Sequence, residues 1–299
     1  LELAYILNKL GKKITFVWLN NDFLVQEDKE IAELIQADLE ASGIKIYSNL
    51  KLNSIETWQG KKRVIFNQRK ITCDEIILAC GEKAYLASLN LAKAEVKIDD
   101  QGIVVNQYLQ TSNRRIYAFG GVIGGYNYTQ IGQYEASIVL QNCLFKSHAT
   151  VNYYAVPWAM FTQPNLARVG MNERQANKFY RQNILITKKM FNHNPWSIAT
   201  NQTTGICKLI STEDGIILGA SIIGNNGIEL INLVAEIMQK SLRLETNSLR
   251  DILTSPPLFV YPSFCQILAQ AQLNLTKQKL LLNKKKKQTF EQLWQWIKD

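Results

Sequence analysis

Two glycine pairs, Gly120-Gly121 and Gly124-Gly125, stand between a short apolar run and a helical pattern. The run, Ile116-Tyr117-Ala118-Phe119, is too brief for a helix and rich in strand formers. Beyond the glycines, Ile131, Tyr134, Ile138 and Val139 recur at helical spacing. A strand, a glycine turn and a helix start aim backbone N–H groups and the positive end of a helix at one point. That suits a phosphate or a ring carbonyl. An ordinary strand–turn–helix carries the same pattern, so spacing alone leaves both readings open.

Other reactive side chains are dispersed. Cys73, Cys80, Cys143, Cys207 and Cys265 form no C-x-x-C and have no histidine at ligand spacing. Neither a metal site nor a disulfide framework is expected, and a reducing cytoplasm fits. His148 and His193 stand alone and read as surface residues, since histidine catalysis needs an orienting partner. Cys80 reads as a small buried residue.

The elements that position these groups follow from periodicity. The chain has 299 residues, 46% of them hydrophobic, enough for two cored domains. No apolar run approaches a membrane span and no signal-peptide pattern opens the sequence. A helix from Leu1 ends at Gly11, and residues 14–18 read as a strand. Residues 28–42 read as a helix with Ile31, Leu34, Ile35 and Leu39 as its stripe and Asp28 as its cap. Strands are expected at 44–47, 55–58 and 64–66, with Gln59-Gly60-Lys61 as a turn. Residues 75–81 read as a fully buried parallel strand and 102–106 as another strand. From about Asn152 the grammar changes. Residues 184–187, 205–211 and 216–223 alternate as antiparallel strands, with Glu213-Asp214-Gly215 as a hairpin turn. A helix over 226–239 is expected to bury Ile228, Ile231, Leu233, Val234 and Ile237.

Charge concentrates at the end. From Lys277 onward seven lysines stand against Glu291 and Asp299, a net +5 of the chain's +9. A solvated extension is one reading. Lysines beside Phe290, Leu293, Trp294 and Trp296 also suit peripheral contact with an anionic membrane surface. No nucleic-acid module accompanies the charge.

The wording of several stretches resembles one family. TSNRRIYAFGGV followed by TQIGQYEA resembles the second flavin-binding motif of the FAD-dependent pyridine nucleotide–disulfide oxidoreductases. There the motif reads T-x-x-x-x-I-Y-A-x-G-D, and its Asp binds the ribityl chain of FAD. Gly121 occupies that position here. LELAYILNKLGKKITFV resembles the helix and strand after the family's NAD(P)-binding G-x-G-x-x-G turn, and Glu2 matches a glutamate near the nicotinamide. Trp18 falls where an acid usually holds the adenosine ribose. It could stack on adenine or simply be packed, which leaves NADH against NADPH open. The segment ending at Gly81 resembles the family's A-T-G-R-x-P stretch. Residues 156–176 resemble the opening of its dimerisation domain, P-x-x-x-F-T-x-P-x-x-A-x-V-G-x-T-E-x-x-A. In dithiol-active members a later H-P-T-x-x-E supplies a His–Glu dyad. Tyr261 and Gln266 take those two positions, and a tyrosine phenol stays protonated at neutral pH. A tyrosine there also occurs in mercuric reductases, although their C-terminal cysteine pair has no counterpart.

The resemblance implies an α/β fold. A partial Rossmann-type NAD(P)- and FAD-binding region would precede an α+β dimerisation domain with an antiparallel sheet. The expected division is 1–81 for NAD(P), 82–151 for the FAD-domain return, 152–272 for dimerisation and 273–299 for the basic tail. The implied activity is hydride transfer from NAD(P)H to FAD, then to a disulfide, metal ion or other small-molecule acceptor, in a cytoplasmic homodimer formed through the C-terminal domain. Gly120, Gly121, Gln130 and Ile131 would approach the flavin. Glu2, Trp18 and Gly81 would lie on the nicotinamide-nucleotide side, and Tyr261 and Gln266 at the acceptor. The Gly-rich turn and the C-x-x-x-x-C redox pair would lie upstream, so the sequence reads as truncated. A non-catalytic dimerisation or interaction remnant is the alternative.

Overall fold

The amphipathic stripes of the N-terminal third fold as periodicity dictates. Helix α1 (Glu2–Lys9) runs into Gly11, strand β1 (Thr15–Trp18) follows, and helix α2 (Lys29–Ala41) leads into β2 (Lys45–Ser48). β1 and β2 pair in parallel. Ile31, Ile35 and Leu39 are buried on α2, each contributing about 1.5–3 kcal/mol of apolar burial. The computed structural model describes residues 1–19, 23–67, 69–145, 147–181, 183–243 and 258–282. Asn20, Asn21, Asp22 and the aromatic and lysine residues of the tail from Lys284 lie outside the described residues.

Two units emerge. One joins Leu1–Asp74 to Tyr154–Asp299, and the other is Glu75–Tyr153. The breaks thus fall at 74 and 153, where the motifs placed them at 81 and 151. In the first unit, β3 (Leu52–Trp58), β4 (Lys61–Phe66) and β5 (Lys70–Cys73) form an antiparallel meander. Gln59 and Gly60, both with positive φ, close its first hairpin. Strand β5 was not legible in the sequence.

The second half of this unit is a five-stranded antiparallel sheet of order β6-β7-β10-β9-β8. Its strands are β6 (Pro157–Met160), β7 (Asn165–Gly170), β8 (Ile184–Met190), β9 (Ile206–Thr212) and β10 (Ile217–Gly224). The expected antiparallel order of β8, β9 and β10 is present. Helix α4 (Glu173–Tyr180) follows β7, and the short helix α5 (Pro195–Ala199) follows β8. Helices α6 (Gly227–Arg243) and α7 (Gln266–Leu282) cover one face. The stripe of α6 is Leu230, Ile231, Val234, Ala235 and Met238, with Ile228 and Ile237 half-buried beside it; of the residues expected on or near that side, Leu233 alone is exposed. Helix α7 continues past 273 and buries Leu275 in the core.

The other face of the sheet packs on the N-terminal elements. Met160, Leu166, Ile206 and Ile223 join Tyr5, Phe23, Leu24, Ile31 and Ile35 in one cluster. Lys208, in the middle of β9, is fully buried there. Its ammonium lies 2.8 Å from Asp28 Oδ2, 2.8 Å from Glu30 Oε1 and 2.6 Å from Glu173 Oε2. Asp28 sits at the N-cap of α2 but makes no cap with its side chain. Its Oδ1 instead accepts the Glu173 N–H at the start of α4 (2.9 Å), because the buried ammonium holds its other oxygen. Nearby, Arg168 Nε lies 3.1 Å from Glu27 Oε1.

In the second unit the apolar runs do not mature into strands. Residues 102–106 and 116–119 form isolated bridges, Ile98 to Ile103, Val105 to Thr111 and Gln110 to Tyr117. Residues 75–81 also form no strand, and Ile77 and Leu78 are 59% and 73% exposed. A parallel strand is buried only between neighbouring strands, and among the described residues none pairs with this run. Cys80, expected buried, is exposed for the same reason. Helix α3 (Thr129–Phe145) is the one long element of this unit.

Two consequences are measurable. Lys208→Ala leaves three carboxylates without their shared cation, and urea unfolding should show a loss of about 3–5 kcal/mol. The cluster also shapes stability against pH. Burial pushes the Glu27 carboxyl from 4.5 up to about 7, with Asp28 adding and Arg168 opposing. The folded protein therefore holds that proton more tightly than the unfolded chain, and Glu27's contribution declines as pH rises from 4.5 to 7. Burial opposes ionisation of Glu30 too, but hydrogen bonds from Lys188 and Lys208 outweigh it and bring the carboxyl down to about 2. That contribution is complete above 4.5 and is lost as pH falls towards 2. Glu27→Gln should flatten the decline in unfolding free energy between pH 4.5 and 7; an unchanged slope would place the titration elsewhere.

Candidate functional site

The glycine turn of the second unit is built by backbone geometry and one buried acid. Gly120 begins a single 3-10 turn, Gly120–Ile123, with φ +73°, a conformation that L side chains seldom adopt. Its N–H donates to Glu135 Oε2 at 2.6 Å, and Tyr153 Oη donates to Glu135 Oε1 at 2.5 Å. Glu135 is 2% exposed. It reaches the turn from the second helical turn of α3, where a Cβ on Gly132 would make ordinary contact with the Gly120 Cα at 3.6 Å. Burial and the bond to Glu135 push the Tyr153 phenol well above its ordinary range, so it remains a donor. Tyr126 stacks against both Tyr128 and Tyr153, with ring centroids 6.3 and 5.6 Å apart.

Gly120, Gly121, Gln130 and Ile131 share this unit. Gly121 and Gln130 are exposed, while Ile131 is buried beneath the first turn of α3. A Cβ on Gly121 would come within 2.5 Å of Asn127 Oδ1. The Asn127 amide in turn donates to the Glu82 carboxylate. The turn leaves the backbone of Gly121 exposed, while the Gly120 N–H is already taken by Glu135. The carboxylate that the motif implies at 121 is absent, and the end of a movable amide occupies its space. Gly81 is also in this unit, exposed and with φ +106°.

The remaining expected residues belong to the first unit. Glu2 Oε1 accepts the Phe161 N–H at 2.8 Å. Trp18 is packed with Phe16 and Phe23, at centroid distances of 6.1 and 5.8 Å, and its indole N–H is buried without a partner among the described residues. Tyr261 is 71% exposed. Gln266 opens α7, its Oε1 buried and unpartnered among the described residues, and no hydrogen bond there joins it to Tyr261. His148 and His193 are exposed, as expected. Among the described residues no three His, Cys, Asp or Glu side chains gather to hold a metal ion.

Comparison with known proteins decides the family. The pyridine nucleotide-disulphide oxidoreductase model matches residues 1–137, and the dimerisation-domain model of the same family matches residues 156–261. The chain belongs to this family. Members are FAD-dependent oxidoreductases that use NAD(P)H. The chain is 30% identical to a mercuric reductase of Staphylococcus aureus over 262 residues, 85% of the chain and 48% of that protein. It is 32% identical to a dihydrolipoyl dehydrogenase of Bacillus subtilis over 242 residues, 79% of the chain and 52% of that protein. The chain spans about half the length of these curated relatives. Among solved structures, the HOCl-induced flavoprotein disulfide reductase RclA of Escherichia coli superposes with a TM-score of 0.81 at 27% identity, over 91% of this chain and 61% of that one.

Glu135 and Tyr153 were missed in the sequence. One signal was available: Glu135 is the only charged residue in the seventeen of α3. A lone acid in an uncharged helix is exposed or bonded for a reason. Glu135→Ala should lower the stability of this unit by about 1–3 kcal/mol, since it strips the Gly120 N–H and the Tyr153 hydroxyl of their acceptor. Glu135→Gln, with one acceptor oxygen left, should recover part of the loss. Urea titrations of the two variants check both statements.

Proposed function

We propose that this chain forms part of a FAD-dependent NAD(P)H oxidoreductase. Bound NAD(P)H and FAD would supply hydride transfer to the flavin, with a disulfide, a metal ion or another acceptor taking the electrons, as in mercuric reductases. The observation that carries the reading is the glycine turn pinned by Glu135 against the first turns of α3, in a chain matched by both family models. Bound FAD would supply the two-electron chemistry. Gly120, Gly121, Gln130 and Ile131 would hold it, with Glu135 keeping the turn in place. Glu2, Trp18 and Gly81 would serve NAD(P)H, and the Phe161 N–H fixes one oxygen of Glu2. Tyr261 and Gln266 would face the acceptor, the phenol offering a hydrogen bond in place of an imidazole. A homodimer through the C-terminal domain is the assembly, in the cytoplasm, with the five free cysteines in keeping. The basic tail is the part suited to a membrane surface.

A second reading has its own support. Gly121 brings no carboxylate, and Tyr261 and Gln266 bring no acid–base dyad. A chain so altered could serve dimerisation or interaction without catalysis. A visible absorption spectrum of the purified chain, with and without added FAD, separates the two. A retained flavin band that NADH or NADPH bleaches is the expected result. Absence of any bound flavin, beside a dimer on sizing, would replace the enzyme reading with the second.

A further inference from the structure

The first unit contains an open cleft of about 670 Å³, within the range of small-molecule sites. Four aromatic side chains, Tyr5, Phe161, Trp196 and Phe264, contribute to its walls. Between them stand Gln163, Asn165, Gln202, Asn225 and Asn226, with two threonines and, among the described residues, no lysine, arginine, aspartate or glutamate. Asn165 uses its amide on the Thr162 carbonyl at 2.5 Å. The side-chain amides of Gln163, Gln202, Asn225 and Asn226 make no hydrogen bond to the rest of the described protein. Each such amide offers two donors and one acceptor oxygen to whatever fills the cleft.

The walls are held from behind by one residue. Asn194 is fully buried, and its Oδ1 accepts the N–H groups of Trp196 and Ser197, both at 3.0 Å. Its Nδ2 donates to the Ser263 carbonyl at 3.1 Å, next to Phe264. A single buried amide therefore sets both the Trp196 wall and the Phe264 wall. On the opposite side, Thr162 is 3% exposed and donates to the Pro164 carbonyl at 2.8 Å.

We propose that this cleft binds an uncharged flat ring carrying hydrogen-bonding groups on its edge, a purine base or a quinone. Aromatic faces stack on such a ring, and free amides match its edge as asparagine and glutamine match adenine. The described walls offer amides and hydroxyls and no cation, which suits an uncharged edge better than a phosphate or carboxylate. None of the residues assigned above to FAD or NAD(P)H lines this cleft, so substitutions in its walls separate it from the nucleotide sites of the proposed activity.

The test is calorimetric titration of the whole chain with adenosine, with AMP, and with menadione after the exposed thiols Cys80 and Cys143 are blocked. Saturable binding of adenosine or menadione that the cleft variants weaken is expected, and whichever probe binds so names the source of the ring. AMP should bind no tighter than adenosine. Trp196→Leu and Gln202→Ala should each weaken binding at least tenfold. Gln202 makes no side-chain bond within the described protein, so its variant keeps the fold even if the Trp196 variant does not. Failure of both probes to bind, binding indifferent to Gln202→Ala, or a preference for AMP would each overturn the proposal.

Discussion

A buried ammonium organises the first unit. Lys208 lies in β9 of a sheet covered on both faces, and an unpaired charge in that position would be very costly. Its three carboxylates come from the N-cap and first turn of α2 and from the first turn of α4. Two stretches of chain separated by the whole second unit therefore have to meet. Burial would favour the neutral amine, but the three carboxylates raise the Lys208 pKa and keep it charged. A mere hydrophobic contact would tolerate sliding. Two hydrogen bonds and an ion pair at 2.6–2.8 Å do not.

The same logic, at smaller scale, runs through the second unit. Its apolar core is small, centred on Val96, Ile103 and Ala118, and its strands reduce to single bridges. Order at the glycine turn comes from Glu135, whose two oxygens are each claimed by a donor. Within the first unit Asn194 plays an equivalent part, one buried amide holding α5 and the segment before α7. In all three cases a polar side chain inside the fold is satisfied by groups distant in sequence. Such networks specify a geometry because an incomplete one is penalised.

Much of the architecture was legible. Hydrophobic periodicity located α1, α2, α6, β1 and the β8–β10 sheet, and turn residues located the hairpins. Motif wording located the family and the glycine turn. The failures share a cause. Residues 75–81 have the composition of a central strand, yet exposure depends on partners that composition does not encode. Asp28 has the residue type and place of a helix cap, but Lys208 competes for its carboxylate. Leu233 of α6 is as apolar as its buried neighbours, and only the sheet beneath decides that it faces outward.

The sequence by itself determined the local elements, the antiparallel character of the C-terminal sheet and the family, because these rest on short-range periodicity and contiguous words. Only the tertiary structure decided which charges are buried together, which amides remain free and which acid supports the glycine turn. Glu135 lies fifteen residues from Gly120, and Lys208 lies 178 residues from Glu30. Their bonds depend on chain folding back in space, and a bond between distant residues leaves no spacing rule in the sequence to read.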